Sequence, residues 1–521
     1  MSTRRLRNRV RAWSPVGLLL LWFAATAGFR TLAAPDEGRY VGVALAMLRS
    51  GDWLVPRLDG LPFFHKPPLF YWLGAASMSV FGVSEWAARL PSVLGATLAA
   101  ASVFMFLRRW VPGTATARNT AVVLATMPFF YVGAQFANLD MLVAGCISAT
   151  VLLAVHAVRA HEAAQPFRAA LAGAFGMAAL GVLAKGLIGP LLPGLVFCLW
   201  CASTRRLGTL RLLAWWPGWL LFCAIALPWP VLMQMRYPGF FDYFVVTQHF
   251  RRFAQAGFNN VHPFWFYVPV IAGLTLPWFM LLATAGWRAR RARWKPNDVD
   301  WLMLIWLATI LVFFSIPRSK LIGYVLPSLP PLAYFVARAS GQGSALATRF
   351  PSVFRWGVGV SAALCVGSIA AVGHVTVAPA SRMIFPADLR IGPSDRVLML
   401  DAYRYDIPFY WQLSQPIGVV ADWTPTTAQA RDNWRKELFD AGTFDAPRRQ
   451  QALVSPQDLH GLLCAAGTSW VIGAPEDPKT TAWLSTQAPV VVEGPIAVWR
   501  FTADSAGCAD APAHPAASAQ P

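Results

Sequence analysis

The sequence predicts an α-helical polytopic membrane protein with about 11–13 transmembrane helices, followed by a C-terminal α/β domain outside the membrane. Of the 521 residues, 56% are apolar and 13% are charged, and the charged fraction is about half that of an ordinary soluble protein. A chain of this composition cannot cover its surface with polar side chains. Apolar runs of span length recur up to residue 377, and the charge density rises after it.

The first apolar run, from about Pro15 to Leu32, follows an arginine-rich N-terminus. It is similar to a signal peptide, but it is long, it lacks a convincing cleavage site, and many further apolar runs follow. We therefore interpret it as a transmembrane helix that starts in the cytoplasm. The further runs lie near 87–107, 119–136, 141–158, 169–184, 187–203, 213–234, 264–285, 300–316, 321–338 and 355–377, and the stretch 61–82 could add one or two spans.

The basic residues predict the orientation of these spans. The net charge of +19 is concentrated in residues 1–377, because residues 378–521 contain more acidic than basic side chains. The arginine blocks occupy alternate loops, as the positive-inside rule describes, so the charge does not require nucleic acid as a partner. Those loops are predicted to be cytoplasmic. The loops at 34–86, 137–140, 235–263 and 317–320 are predicted to face outward, together with the C-terminal domain.

The chain is predicted to divide into a membrane domain over 1–377, which includes the first outer loop, an α/β domain over 378–505, and a disordered tail over 506–521. Cys464 and Cys508 could form a disulfide bond if this region is exported. Within the α/β domain, strand-like runs lie at 396–400, 416–420, 470–474 and 490–501, with a helical segment around 406–413.

The acidic residues of the membrane domain are scarce, and most lie in the predicted outer loops rather than in mid-membrane. Ion-coupled transporters usually keep ionisable groups near the midplane, so this distribution favours a site at the outer surface. In the first outer loop, Asp36 and Glu37 precede an amphipathic pattern from Arg39 to Arg49, which predicts an interfacial helix. Asp36 could simply cap this helix, but an acid pair at a membrane exit favours a functional role.

The ordered motifs of this chain resemble those of the polyprenyl-phosphate-dependent membrane glycosyltransferases of the GT-C fold, especially the lipid A aminoarabinose transferases and the related protein O-mannosyltransferases. The resemblance covers most of residues 15–340 and is most specific over 36–92. The motifs are PDEGRY, LRSGDWLVP, HKPPLFYWL, RLPS, FANLDMLVA, LAKG and KLIGYVLPSLPPLA.

The resemblance implies roles for the matching residues. Asp36, Asp140 and Lys66 would lie at the catalytic centre. Residues that would bind the substrate or the lipid phosphate are Glu37, Arg39, Tyr40, Lys185, Arg251, Arg252, Lys320 and Tyr324. Cations suit a donor that leaves as a phosphate. Three alternatives remain open: Lys185 could be a snorkelling residue, Arg251 and Arg252 could bind lipid headgroups, and Tyr324 could be an interface aromatic.

A divalent metal, Zn²⁺ or Mg²⁺, is a further expectation from the family. His65 and His249 lie in two outer loops that the family brings together near the donor phosphate, and imidazole suits Zn²⁺. The aminoarabinose transferases have an acidic residue at the position of His65, so this chain departs from their pattern. His65 could instead donate a hydrogen bond to a phosphate.

The predicted function is transfer of a sugar from a polyprenyl (undecaprenyl) phosphate donor to lipid A or another envelope glycan. The enzyme would act with inversion at the periplasmic face of a bacterial inner membrane. The chain shows no nucleotide-binding motif, which fits a lipid-linked donor. A related transferase that uses another sugar or a protein hydroxyl is the first alternative, and a lipid or sugar transporter is the second.

Overall fold

The computed structural model describes residues 3–251, 260–283, 295–339, 352–383, 385, 390–475 and 488–502. The chain forms two compact units. The first contains residues 1–30 and 64–375, and the second contains residues 31–63 and 376–521. This division differs from the sequence-based one, which assigned all of the first outer loop, 34–86, to the membrane domain.

The two units alternate along the chain, because residues 31–63 of the second unit interrupt the first. The α-helices are α1 (Thr3–Ala24), α2 (Asp36–Ser50), α3 (Leu69–Phe81), α4 (Glu85–Trp110), α5 (Thr114–Ala125), α6 (Pro128–Ala134), α7 (Leu139–Glu162), α8 (Arg168–Lys185), α9 (Ile188–Ser203), α10 (Trp216–Ala226), α11 (Pro228–Arg236), α12 (Tyr267–Leu274), α13 (Asp298–Ser315), α14 (Leu329–Ala339), α15 (Val353–Val375), α16 (Pro379–Arg382), α17 (Ile407–Tyr410), α18 (Pro425–Ala428), α19 (Trp434–Gly442), α20 (Ala446–Ala452) and α21 (Leu459–Cys464). The strands are β1 (Arg57–Leu58), β2 (Leu61–Pro62), β3 (Arg396–Leu400), β4 (Ile417–Val420), β5 (Leu453–Val454), β6 (Ser469–Gly473), β7 (Val491–Glu493) and β8 (Ile496–Phe501). The described residues also form the 3₁₀ segments Leu207–Ala214 and Ile322–Ser328 and the π-helix Asp242–Arg251.

The first unit is built from apolar helices. Among the described residues, five helices (α4, α7, α8, α13 and α15) are long and apolar enough to cross a membrane. A sixth candidate combines the 3₁₀ segment Leu207–Ala214 with α10, and the pair is bent by 52°. Shorter apolar helices include α3 and α9. The chain is therefore a multi-pass membrane protein, and the total of about 11–13 spans stays a prediction.

Prolines explain why several predicted spans are broken. The run 119–136 forms α5 and α6 rather than one helix, and Pro128 opens α6. The run 213–234 divides into α10 and α11, again with proline at the first position of the second helix. Proline cannot donate the helical hydrogen bond and clashes with the preceding turn, so a new helix starts there.

Helices α4 and α7 approach closely through glycines. A Cβ atom on Gly95 would lie 2.6 Å from the Cα of Leu142, and one on Gly145 would lie 3.0 Å from the Cα of Gly95. The Ser92 hydroxyl of α4 also donates to the carbonyl of Phe136, at 2.7 Å, in the segment that precedes α7. These contacts fix the start of α7 against α4, because small residues let two helix backbones meet.

The second unit contains the predicted α/β domain. Its six-stranded mixed sheet has the order β5-β4-β3-β6-β8-β7, in which the pairs among β3, β4, β5 and β6 are parallel and β8 pairs antiparallel with β6 and β7. The four predicted strand-like runs are confirmed, and the run 490–501 is the β7–β8 hairpin. Leu398, Val471 and Trp499 lie in its apolar core. Cys464 is disulfide-bonded, whereas Cys508 and the tail 506–521 lie outside the described residues.

The segment 31–63 is part of the same unit. The predicted amphipathic helix is confirmed as α2, which buries Val41, Ala44 and Leu45 and ends at Gly51 in a left-handed conformation. The Tyr410 hydroxyl accepts a hydrogen bond from the Leu32 amide at 2.7 Å. Hairpin β1–β2 follows α2, and the whole segment belongs to the same compact unit as residues 376–521.

Candidate active site

Asp140 occupies the first turn of α7. The Asn138 side chain caps this helix by accepting a hydrogen bond from the Asp140 amide at 2.8 Å. The Asp140 side chain is only 7% exposed. A carboxylate at this position is favourable, because the amides of a helix N-terminus carry a partial positive charge.

Lys185 is the partner of Asp140. It is the last residue of α8, its ammonium group forms an ion pair with the Asp140 carboxylate, and its side chain is 13% exposed. A cation is favourable at the C-terminal end of a helix for the same electrostatic reason. The chain therefore holds both charges at helix ends that stabilise them, and a buried charge requires such compensation.

The 3₁₀ segment Ile322–Ser328 completes this cluster. The Lys185 ammonium lies 4.4 Å from the centre of the Tyr324 ring, within the range of a cation–π interaction. At Gly323, a Cβ atom would come within 3.1 Å of the Asp140 carboxyl carbon, so a side chain there would push the segment away. We refer to Asp140, Lys185 and Tyr324 as the α7–α8 cluster. The sequence motifs identified these three residues, but they did not indicate that Gly323 lies close to Asp140.

A second charged cluster lies at the start of α2 in the second unit. The Arg39 guanidinium donates to the Asp36 carboxylate at 2.7 Å and lies 4.9 Å from the centre of the Tyr40 ring. The Asp36 side chain is 52% exposed. Glu37 points elsewhere, because its buried carboxylate accepts a hydrogen bond from the Ala33 amide at 2.8 Å. Asp36 does not cap the helix, since Pro35 holds the cap position without a side-chain hydrogen bond.

The α/β domain supplies the rest of this α2 cluster. Arg39 forms an ion pair with Glu437 of α19, and the Tyr405 hydroxyl donates to the same carboxylate at 2.5 Å. Burial and then the neighbouring Glu437 carboxylate raise the pKa of Tyr405 well above its usual value, so the hydroxyl keeps the proton that it donates. Burial lowers the pKa of Arg39, but the surrounding anionic and phenolic oxygens raise it by more. Glu437 and Tyr405 were not identified from the sequence, because no pattern links them to Arg39.

The segment before α3 carries Lys66 and His65. The buried His65 ring shares a hydrogen bond of 2.5 Å with the Tyr243 hydroxyl, which belongs to the π-helix Asp242–Arg251. Lys66 follows directly and is half-buried. This contact joins two of the outer segments that the sequence singled out.

Lys320 has structural partners in its own loop and in the segment around 260–262. Its buried ammonium donates to the carbonyls of His262, at 3.0 Å, and Pro317. The Lys320 amide also donates to the carbonyl of Asn260 at 3.0 Å. These contacts hold the segment around 260–262 against the loop before the 3₁₀ segment, so Lys320 positions the loop that carries Tyr324.

Three of the predicted residues lie outside what the structure describes: Arg252 entirely, and the side chains of His249 and Arg251. Among the side chains that it does describe, no three His, Cys, Asp or Glu residues form a group able to hold a metal ion. His65 uses one ring nitrogen for Tyr243. A metal at His65 and His249 stays a prediction.

Residues 65–233 match the sequence model of a family described as dolichyl-phosphate-mannose-protein mannosyltransferase. The chain is also 34% identical, over 372 residues, to undecaprenyl phosphate-α-4-amino-4-deoxy-L-arabinose arabinosyl transferase 1 of Sodalis glossinidius. That match covers 68% of this chain and 64% of the relative. The alignment thus spans just under two thirds of the length of the relative.

The fold is similar to the crystal structure of ArnT from Cupriavidus metallidurans bound to undecaprenyl phosphate. The TM-score is 0.76 at 26% sequence identity, and the match covers 94% of this chain and 98% of that one. The chain has the fold of the GT-C glycosyltransferases. An oligosaccharyltransferase from Archaeoglobus fulgidus shares the GT-C fold alone, with a TM-score of 0.51 at 12% identity over 89% of this chain and 69% of that one.

The structural comparison confirms the predicted GT-C fold class, and the sequence comparisons support the predicted family. The α7–α8 cluster lies in the first unit of this GT-C chain, and the α2 cluster lies in the second. The family model includes Lys66, Asp140 and Lys185 but ends before Tyr324.

Proposed function

We propose that this GT-C protein transfers a sugar from undecaprenyl phosphate to lipid A or another envelope glycan, and that the sugar is 4-amino-4-deoxy-L-arabinose. The names of the relatives support the donor and the sugar. The observation that carries the proposal is the α7–α8 cluster, in which a lysine ammonium and a tyrosine ring meet at the end of a membrane helix. A transferase with a lipid phosphate donor needs such a fixed cation.

Lys185 would bind the phosphate of the donor. As the glycosidic bond breaks, negative charge develops on the phosphate oxygens, and a preorganised cation stabilises it more than it stabilises the bound donor. Asp140 compensates the charge of Lys185 and orients its ammonium group through the ion pair. The amides of the α7 N-terminus also favour an anion beside Lys185. Tyr324 limits the positions that the ammonium can take.

Asp36 would act on the acceptor. If the acceptor is a hydroxyl, its carboxylate would be the general base, and if it is a phosphate, the carboxylate would stabilise the positive charge that develops at the anomeric carbon. Arg39 holds one Asp36 oxygen and is itself held by Glu437. The reaction would be a single displacement with inversion, and none of these steps requires a metal.

We place the active site at the periplasmic face of a bacterial inner membrane. The alternate arginine-rich loops support this orientation. The disulfide bond of Cys464 also supports it, because disulfides persist in the periplasm and not in the cytosol.

The test is a transfer assay with the full chain in lipid nanodiscs, undecaprenyl phosphate-linked aminoarabinose and lipid A. We expect equal amounts of free undecaprenyl phosphate and modified lipid A. Asp36→Asn should lower kcat by about 100-fold or more. The matched control is Asp242→Asn, which removes the same charge from an exposed position and should leave kcat unchanged. Movement of intact donor between leaflets without cleavage would instead indicate a transporter.

A protein hydroxyl is the second candidate acceptor, and the family model over residues 65–233 favours it. The two acceptors are separated by mass spectrometry of a deletion strain. Loss of the aminoarabinose mass increment from lipid A supports the first proposal. Unchanged lipid A together with a missing protein glycan supports the second.

A further inference from the structure

A cavity of about 670 Å³ lies between four helices of the first unit. Its walls are apolar and come from α1, α4, α5 and α15, through residues such as Leu18, Phe104, Val122 and Val358. None of the residues that line it belongs to the α7–α8 cluster. The cavity is therefore separate from the groups to which the transfer reaction is assigned.

Two arginines line this cavity. Arg108 lies in the last turn of α4, and Arg118 lies in α5, just after the short connection that joins the two helices. Both side chains are exposed. Neither guanidinium has an ion-pair or hydrogen-bond partner among the described residues, and no acidic residue lines the cavity. The cavity therefore combines apolar walls with two uncompensated positive charges.

The polar groups inside the cavity already have partners. The Trp22 indole N–H donates to the Ala125 carbonyl at 2.9 Å, and the Thr126 hydroxyl donates to the Val122 carbonyl at 2.7 Å. A ligand inside the cavity would therefore contact mainly apolar atoms, and the two guanidinium groups are the charged groups of the lining. Hydrocarbon chains suit such an interior, and a phosphate suits the guanidinium groups.

We propose that this cavity binds one anionic glycerophospholipid from the membrane leaflet that the arginine-rich loops face. Its acyl chains would fill the space beside Leu18 and Val358, and its phosphate would lie between Arg108 and Arg118. Basic pockets between membrane helices on the cytoplasmic side bind anionic headgroups in this way. The bound lipid would contact α1 and α15 together with the α4–α5 pair.

The test is native mass spectrometry of the detergent-purified full chain, titrated with phosphatidylglycerol or with phosphatidylethanolamine. We expect a retained phosphatidylglycerol adduct and weaker retention of the zwitterionic lipid. Arg108→Gln and Arg118→Gln should each weaken the adduct by about fivefold, and the double variant by about 25-fold. The matched control is Arg109→Gln. Arg109 is adjacent in sequence, but it bonds Gln165 and stacks on Trp110 instead of lining the cavity.

A second variant separates the cavity from general surface charge. Ala362→Trp fills the cavity from α15 and keeps both arginines, so it should remove the adduct while the melting temperature and sugar transfer stay near wild type. Equal binding by the Arg108/Arg118 double variant and the Arg109 control would overturn the proposal. A second result would also overturn the proposal: displacement of phosphatidylglycerol by undecaprenyl phosphate, together with loss of sugar transfer in Ala362→Trp. The cavity would then be part of the donor-binding site.

Discussion

At the residue scale, Lys185 has a structural contact with Asp140 beside the role in phosphate binding that we propose for it. It is half-buried and pairs with the buried Asp140, so its removal leaves a buried carboxylate without its counter-ion. A loss of activity in one variant would therefore not distinguish a phosphate ligand from a structural cation. The two roles can be separated by neutralising Lys185 and Asp140 together, because the double variant leaves no unpaired charge and still lacks the cation for the phosphate.

We predict that Lys185→Gln lowers kcat by about 100-fold and also lowers the melting temperature, since Asp140 loses its partner. The double variant Lys185→Gln/Asp140→Asn should recover the melting temperature but not kcat. The assay is transfer to lipid A beside a thermal melt, with Arg168→Gln at the exposed opposite end of α8 as control. Recovery of both properties in the double variant would show that Lys185 is only structural.

Asp59 is a second residue whose environment determines its chemistry. It lies in the turn of the β1–β2 hairpin with a positive φ of 53°, a conformation that Asp and Asn adopt more readily than most residues. One carboxylate oxygen accepts from the Ile417 amide at 2.9 Å, and the other is buried without a hydrogen-bond partner among the described residues. Burial raises the pKa of Asp59 to about 7, against the opposing effect of the Ile417 amide.

A raised pKa on an acid means that the folded state prefers the protonated form. The contribution of Asp59 to the free energy of unfolding is therefore largest below about pH 4, the ordinary pKa of the carboxyl group. It falls by about 1.4 kcal/mol per pH unit until about pH 7, the pKa in the folded state. We predict that Asp59→Asn raises the melting temperature at pH 8 and has little effect at pH 4. Melts of the full chain between pH 4 and 8 check this. Asp458→Asn, an exposed acid of the same unit, should leave the pH profile of wild type unchanged.

At the scale of elements, the helices that carry the α7–α8 cluster are placed by small residues. Gly95 and Gly145 let α4 and α7 meet at backbone distance, and Gly181 and Gly189 do the same for α8 and α9. A Cβ atom on Gly181 would lie 2.9 Å from the Cα of Gly189. The crossings therefore fix the ends of α7 and α8, at which Asp140 and Lys185 lie.

We predict that Gly95→Ala destabilises the protein by about 1–3 kcal/mol, because the new methyl group would meet the backbone of α7. The control is Gly194→Ala in α9, where a Cβ atom meets nothing within 4 Å, and where alanine should be neutral or stabilising. Thermal melts of both variants in the same detergent compare them. Equal melting temperatures would mean that the α4–α7 crossing can relax without cost.

At the scale of the whole molecule, the orientation in the membrane would determine which leaflet supplies the proposed donor. The distribution of arginines predicts that the C-terminal domain is periplasmic. Described positions suited to a labelling test are Gln429 in the α/β domain and Ser203 at the end of α9, since both are exposed.

We predict that Gln429→Cys reacts with a membrane-impermeant maleimide in spheroplasts, whereas Ser203→Cys reacts only after the membrane is permeabilised. The wild-type chain is the control for its own cysteines, of which Cys464 is disulfide-bonded and Cys146, Cys201 and Cys365 are buried. Labelling of Ser203→Cys in sealed spheroplasts would reverse the orientation and with it the proposed periplasmic site.

The sequence alone determined the membrane class, the positions of most apolar helices, the strands of the α/β domain and the family. These follow from local composition and from short motifs, because both depend only on residues that are close together in the sequence. Proline broke several of the predicted spans, as at Pro128, and the proline itself was visible in the sequence. The motifs also identified Asp140, Lys185 and Tyr324 as candidate site residues.

Only the tertiary structure decided which side chains meet. Arg39 bonds Glu437 almost 400 positions later in the chain, Lys320 bonds backbone carbonyls, and residues 31–63 join residues 376–521 in one unit. Ion pairs and hydrogen bonds act over a few ångströms, and the fold brings such groups together without leaving a periodic or spaced pattern in the sequence. Composition thus fixes where a residue can lie, whereas packing fixes what it touches.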